Sequence, residues 1–133
     1  MRTTDRVLLS LRTLSECALD GNTFTLHERP APESKRDKSY VDAGLGDPND
    51  IPSRWHHGPG QLNVFLASLD LLVITLPLTS LTLGMIACEQ FQALGKRNAL
   101  VSHVGRGPIV NTDDLVAALN SSTIRGAAVD VRP

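Results

Sequence analysis

Leu69-Asp70-Leu71-Leu72-Val73-Ile74-Thr75 is an apolar run interrupted by a single charge, and Pro77 follows it closely. A short run of this kind, rich in β-branched and leucine side chains and ended by a residue with no amide hydrogen, reads as a strand covered on both faces. Two further runs repeat the pattern, one from Ala99 to Val104 and one from Gly126 to Val131. Helical spacing fills the intervals. Cys88 to Leu94 forms one helix, and Asn111 or Thr112 caps another whose first turn holds Asp113 and Asp114, where carboxylates meet the positive end of the helix dipole. A short helix running from Gln61 to Ala67 leads into the first strand. Strands alternating with helices of this length predict βαβ units and a parallel sheet, an α/β fold of the doubly wound type.

Upstream of this core, residues 61–133, the pattern is weaker. Val7, Leu11, Leu14 and Ala18 share one face of a helix, with a strand through Val7, Leu9 and Leu11 as the alternative; Asp20-Gly21-Asn22 stops the element, Thr23 to Leu26 is β-prone, and together they make a first section, residues 1–28. From Arg29 to Gly60 the composition turns to Pro, Gly, Ser and charge, which predicts a long loop in a second section, residues 29–60. Trp55 is expected to pin the loop to the body, since few other large apolar groups are available there. Lys35-Arg36-Asp37-Lys38 reads as a solvated charge cluster.

The bulk properties narrow the function classes. With 133 residues and 41% hydrophobic content the chain suits one soluble domain. Its 13 Lys and Arg against 14 Asp and Glu leave no positive surplus, which argues against nucleic acid and anionic membrane surfaces as partners. The longest apolar run, Leu69 to Leu78, is about half of the ~20 residues a membrane-spanning helix needs. Arg2, Arg6 and Arg12 around Val7-Leu8-Leu9 do not make a targeting peptide, because Ser10 and Arg12 break the apolar stretch. Cys17 and Cys88 form no metal or redox spacing and read as buried reduced thiols, hence a cytoplasmic chain.

Ligands of open parallel sheets bind at the carboxyl ends of the strands, so the residues just after each strand are the informative ones. After the first, Pro77 ends the strand while Leu76 and Leu78 offer an apolar wall for a flat ring. After the second, Arg106 stands between Gly105 and Gly107, where its guanidinium can enter a cleft and hold a carboxylate through two parallel hydrogen bonds. After the third, Asp130 follows Ala127-Ala128-Val129 and must find donors there or rise in pKa. Other candidates are weaker. Gly44-Leu45-Gly46 is followed by Pro48 and preceded by no buried strand, so it is a turn rather than a phosphate loop. His56 and His57 lack a third ligand at metal spacing and read as exposed loop residues.

"LDLLVITLPLTSLTLGMI" (69–86) and "NALVSHVGRGPIVNTDDLVAALNSSTIRGAAVDV" (98–131) resemble the cofactor domain of D-isomer-specific 2-hydroxyacid dehydrogenases. "FTLHERPAPESKRDKSY" (24–40) and the Pro/Gly-rich stretch after it are similar to a loop of fungal-type members. The resemblance implies a Rossmann-like domain that binds NAD, with NADP left open, and a small 2-hydroxy or 2-keto acid as substrate. It makes Arg106 the group that grips the substrate's carboxylate and carbonyl oxygen. Leu76, Pro77, Thr82, Val104 and Gly105 fall where members contact the dinucleotide, and Asp130 falls where they hold the nicotinamide carboxamide. His27, Glu28 and Arg29 fall where ribose specificity is set, without deciding between the two dinucleotides. The pattern departs from the family at His103, usually Asn, and at Gly105, usually Ala or Ser. By the same resemblance the first strand and its glycine-rich loop would precede Met1, and the general-acid His with its Glu would follow Pro133. The expectation is therefore an incomplete doubly wound sheet from a truncated gene model or a degenerate copy, feeble in nucleotide binding and prone to self-association along the Leu69–Thr75 edge. The rival is a non-catalytic, corepressor-like dinucleotide binder, and a homodimer is the one assembly the resemblance keeps in play.

Overall fold

The computed structural model describes residues 21–31 and 52–131. The expected helix over Val7 to Ala18, the Gly44-Leu45-Gly46 turn, the Lys35–Lys38 cluster and Cys17 lie outside these residues. The chain divides into two compact units, residues 1–62 and 63–133. Strand β1 spans Gly21–Thr25 and β2 spans Pro52–His57; helix α1 follows over Pro59–Ala67. Then come β3 (Leu71–Ile74), α2 (Cys88–Gly95), β4 (Leu100–His103), a 3-10 turn (Gly107–Ile109), α3 (Thr112–Asn120) and β5 (Gly126–Val129).

In the first unit β1 and β2 pair in parallel, with Thr23 opposite Trp55 and Thr25 opposite His57. The expected Arg29–Gly60 loop is therefore wrong at its end, and Trp55, His56 and His57 are half-buried strand residues rather than loop residues. Pro52 hides this strand from a reading by apolar alternation, but a proline is tolerated at a strand's first residue, where no ladder bond need be lost. Gly58 makes the exit from β2 at φ +72°, a conformation that favours glycine. Its amide donates to the Thr25 carbonyl at 3.2 Å, and Pro59 then takes the first helical position, where an amide would have no partner.

In the second unit β3, β4 and β5 form one parallel sheet in that order. Leu72 faces Val101 and Ile74 faces His103 across the β3–β4 ladder, and all four are buried. Leu71 and Leu100, which point the other way, are exposed. The expected burial on both faces is thus met on one face only. β5 departs further: Ala127, Ala128 and Val129 are exposed, so neither face of this strand is covered among the described residues, and its alanines reach little. The core gathers Phe91 and Leu94 of α2, Ala118 of α3, and Ile109 and Ile124 from the connections.

Local chemistry explains the joints. Asn111, not Thr112, caps α3 by accepting the Asp114 amide at 3.1 Å. Asp114 in turn accepts the amide of Cys88 at 2.9 Å, so a carboxylate of one helix stabilises the amino-terminal end of another. Cys88 itself is exposed, which corrects the expectation of a buried thiol: as the first residue of α2 it faces outward rather than into the stripe of Phe91 and Leu94. At the amino-terminal edge of the sheet, Arg97 grips Asp70 through two bonds of 2.9 and 3.0 Å. That hydrogen bond, with the nearby guanidinium charge, holds the Asp70 carboxyl below its ordinary range and raises Arg97. No helix among the described residues is long and apolar enough to cross a membrane.

Candidate functional site

The parallel register brings the three strand ends to one edge. Val104 donates its amide to the Ile74 carbonyl at 3.1 Å, and Asp130 donates its amide to the His103 carbonyl at 3.0 Å. The segments that begin at Thr75, Val104 and Asp130 therefore leave the sheet side by side. Their loops are also stitched together beyond the strands. Gly84 donates to Pro108 O at 2.8 Å, Ile86 to Ile109 O at 3.0 Å, and Asn111 to Ile86 O at 2.9 Å.

After β3, Leu76 is half-buried while Pro77 and Leu78 are exposed, so an apolar shelf stands at the sheet edge. Thr82 lies behind it. Its hydroxyl donates to the Pro77 carbonyl at 2.7 Å and accepts from the Thr79 amide at 2.8 Å, and its side chain is fully enclosed. Thr82 thus shapes the turn that carries the shelf. After β4, Gly105 is buried in a tight place: a Cβ there would lie 3.0 Å from the Leu76 carbonyl oxygen. The backbones of Leu76 and Gly105 approach so closely that a side chain at residue 105 would need the neighbouring strand end to give by a few tenths of an ångström. Arg106 is exposed, and its carbonyl accepts the Ile109 amide that closes the 3-10 turn at 3.0 Å. After β5, Asp130 is exposed, so the expected burial of its carboxylate is not met, because the β5 residues that precede it are themselves uncovered.

All seven residues singled out from the sequence, Leu76, Pro77, Thr82, Val104, Gly105, Arg106 and Asp130, lie on these three connected segments. The arrangement offers an apolar surface for a flat ring, a carboxylate that can accept from an amide, and an exposed guanidinium suited to a small anion. These groups fit the ring end of a nicotinamide dinucleotide, because the close Leu76–Gly105 approach leaves a floor with no side chain projecting from residue 105. The sequence marks His103 only as a departure from the family and gives it no role in the site. Its ring nitrogen Nε2 lies 3.0 Å from the Arg106 carbonyl, and the signal was its alternation with Val101 on the buried face of β4. His27 and Glu28 are exposed just past β1, and Thr25 donates its hydroxyl to the His27 carbonyl at 2.8 Å.

Residues 48–133 match the model of the D-isomer specific 2-hydroxyacid dehydrogenase NAD binding domain. The chain belongs to this dehydrogenase family. Within it, the chain is 44% identical over 71 residues to a glyoxylate/hydroxypyruvate reductase B of Yersinia enterocolitica, an overlap of 53% of this chain and 22% of that protein. Among solved structures, a D-isomer specific 2-hydroxyacid dehydrogenase from Xanthobacter autotrophicus Py2, in complex with NADPH and MES, superposes with a TM-score of 0.70 at 28% identity. It covers 92% of this chain and 42% of its own. An NADPH-dependent glyoxylate/hydroxypyruvate reductase from Sinorhizobium meliloti, in complex with NADP and malonate, gives 0.66 at 27% identity, with 92% and 31% covered. The chain spans about a fifth of the length of the curated relatives it matches. The doubly wound α/β reading and the family resemblance both hold for this dehydrogenase domain.

Proposed function

We propose that the carboxyl edge of β3, β4 and β5 holds the nicotinamide end of NAD or NADP against a short 2-keto or 2-hydroxy acid, as part of a hydride-transferring oxidoreductase. The observation that carries this reading is that Leu76–Pro77, Val104–Arg106 and Asp130 leave adjacent parallel strands at one edge and are joined there by backbone bonds. When bound, the reduced nicotinamide supplies the hydride for the keto carbon. The Leu76–Pro77 shelf, held by Thr82, supports one face of the ring and keeps water from it. Val104 and Gly105 form the floor. Asp130 accepts from the carboxamide amide and sets which ring face is presented. Arg106 holds the substrate's carboxylate through two parallel bonds and stabilises the negative charge that grows on the keto oxygen. Glyoxylate and hydroxypyruvate are the substrate class that the names of the relatives support. A cytoplasmic location belongs to the same proposal and is supported by the free thiol of Cys88.

The test is a titration of the chain with NADH and with NADPH into the millimolar range, followed residue by residue through backbone amide resonances. Shifts concentrated at Leu76, Val104 to Gly107 and Asp130 are expected. Shifts confined to the opposite edge, near Asp70 and Arg97, would remove the site from this edge.

A further inference from the structure

His103 is the last residue of β4 and is 2% exposed. Its Nε2 lies 3.0 Å from the carbonyl oxygen of Arg106, and a carbonyl can only accept, so the ring hydrogen sits on Nε2. The same oxygen accepts the amide of Ile109 at 3.0 Å. The other ring nitrogen, Nδ1, is buried with no partner among the described residues. Through its own carbonyl, His103 also accepts the Asp130 amide at 3.0 Å. One residue is thus bonded by its ring to Arg106 and by its backbone to Asp130, the two polar groups placed on the ligand. The loop lies directly over the ring, since a Cβ on Gly105 would come 3.4 Å from His103 Cε1.

Stability alone does not account for an imidazole here. A leucine would fill a similar volume without leaving a buried nitrogen unsatisfied, and such a nitrogen is a cost to folding. What leucine lacks is the donor. We propose that His103 is a positioning residue whose ring fixes the peptide plane after Arg106, and so the direction from which the guanidinium approaches a carboxylate. This deepens the function proposed above and rests on it for the consequence in binding; the ring bond itself does not depend on it.

The experiment uses the full 133-residue chain and two variants. His103→Gln places an amide nitrogen about where Nε2 stood, and His103→Leu keeps the bulk without the donor. Three readouts are taken: the tautomer of the ring from long-range proton–nitrogen spectra, the amide shifts of Arg106 to Ile109, and affinity for oxalate beside the urea midpoint. The expected results are an Nε2-protonated ring and, in His103→Leu, displaced amide shifts with oxalate binding weakened about tenfold, as the loss of one net hydrogen bond implies. The urea midpoint of that variant stays level or rises, and His103→Gln recovers both shifts and affinity. An Nδ1-protonated ring, unchanged Arg106–Ile109 shifts in His103→Leu, or affinity and midpoint falling together in both variants would each overturn the proposal. If the parent chain does not bind oxalate at all, the proposed function fails, and the tautomer and the amide shifts still decide the role of His103.

Discussion

Replacing Thr82 with valine isolates what holds the apolar shelf in place. Valine keeps the shape and the enclosed methyl, so no cavity opens, but it removes a hydroxyl that donates to Pro77 O at 2.7 Å and accepts from Thr79 N at 2.8 Å. Each bond contributes about 1 kcal/mol net, and a buried partner left unmade costs about 1–3 kcal/mol. Pro77 and Thr79 are themselves exposed, so water recovers part of the loss and the estimate settles at about 2 kcal/mol. For a chain of 133 residues, with an unfolding entropy of about 2.1 cal/mol/K per residue, that lowers the melting temperature by roughly 7 °C. The assay is urea and thermal unfolding of the parent, Thr82→Val and Thr82→Ser, with serine expected to recover most of the loss by restoring the hydroxyl. The shelf should also loosen, weakening the NADH-induced shifts at Leu76 while leaving those at Asp130. A valine variant within 0.5 kcal/mol of the parent would refute the reasoning, because the turn would then stand without its hydroxyl.

Two other perturbations test the frame around the site. A Cβ at Gly95 would lie 2.8 Å from Thr123 Cγ2 and 2.9 Å from Thr123 O, so Gly95→Ala should destabilise by about 1–2 kcal/mol despite alanine's better helix propensity, as read from the urea midpoint. A stabilised variant would show that the α2 end has room to move. Because Arg97 depresses the folded-state pKa of Asp70, the pair's stabilisation is present above the unfolded carboxyl value, about 3.9, and is lost as pH falls below it through the folded value. Acid titration of stability should therefore fall more steeply below about pH 4 in the parent than in Asp70→Asn, and identical acid limbs would count against the pair. Both groups are exposed, so the difference should shrink in high salt.

The parts of the fold that sequence made legible are those whose side chains repeat with a clear period. Leu72, Ile74 and Val101 announce buried strands, and Phe91 and Leu94 announce a packed helix. Strand β2 was not legible, because Pro52, Ser53, Arg54, His56 and His57 carry no apolar alternation and its place is set by pairing with β1. The sequence overstates the burial of β5 because Ala127 to Val129 look the same whether a strand's faces are covered or open. At the site, sequence order placed Leu76, Pro77, Val104, Gly105, Arg106 and Asp130 on three successive strand ends, the family resemblance added Thr82, and the parallel register brings those ends together. It could not show that the Thr82 hydroxyl is spent inside a turn, nor that the ring of His103 reaches the carbonyl of a residue three positions on. Both facts depend on how loops fold back, which no periodicity encodes.

Whether Arg106 holds a carboxylate at the carboxyl edge of the sheet is read from oxalate binding to the parent and to Arg106→Lys, followed through the guanidinium Nε–H resonance and by calorimetry. Lysine keeps the charge but not the planar pair of donors. A saturable downfield shift of the Arg106 Nε–H is expected in the parent, with affinity at least about tenfold weaker in the lysine variant, the difference when a two-bond grip becomes a point charge. An unmoved Arg106 resonance, or a lysine variant that binds oxalate as well as the parent, would contradict a carboxylate grip by Arg106.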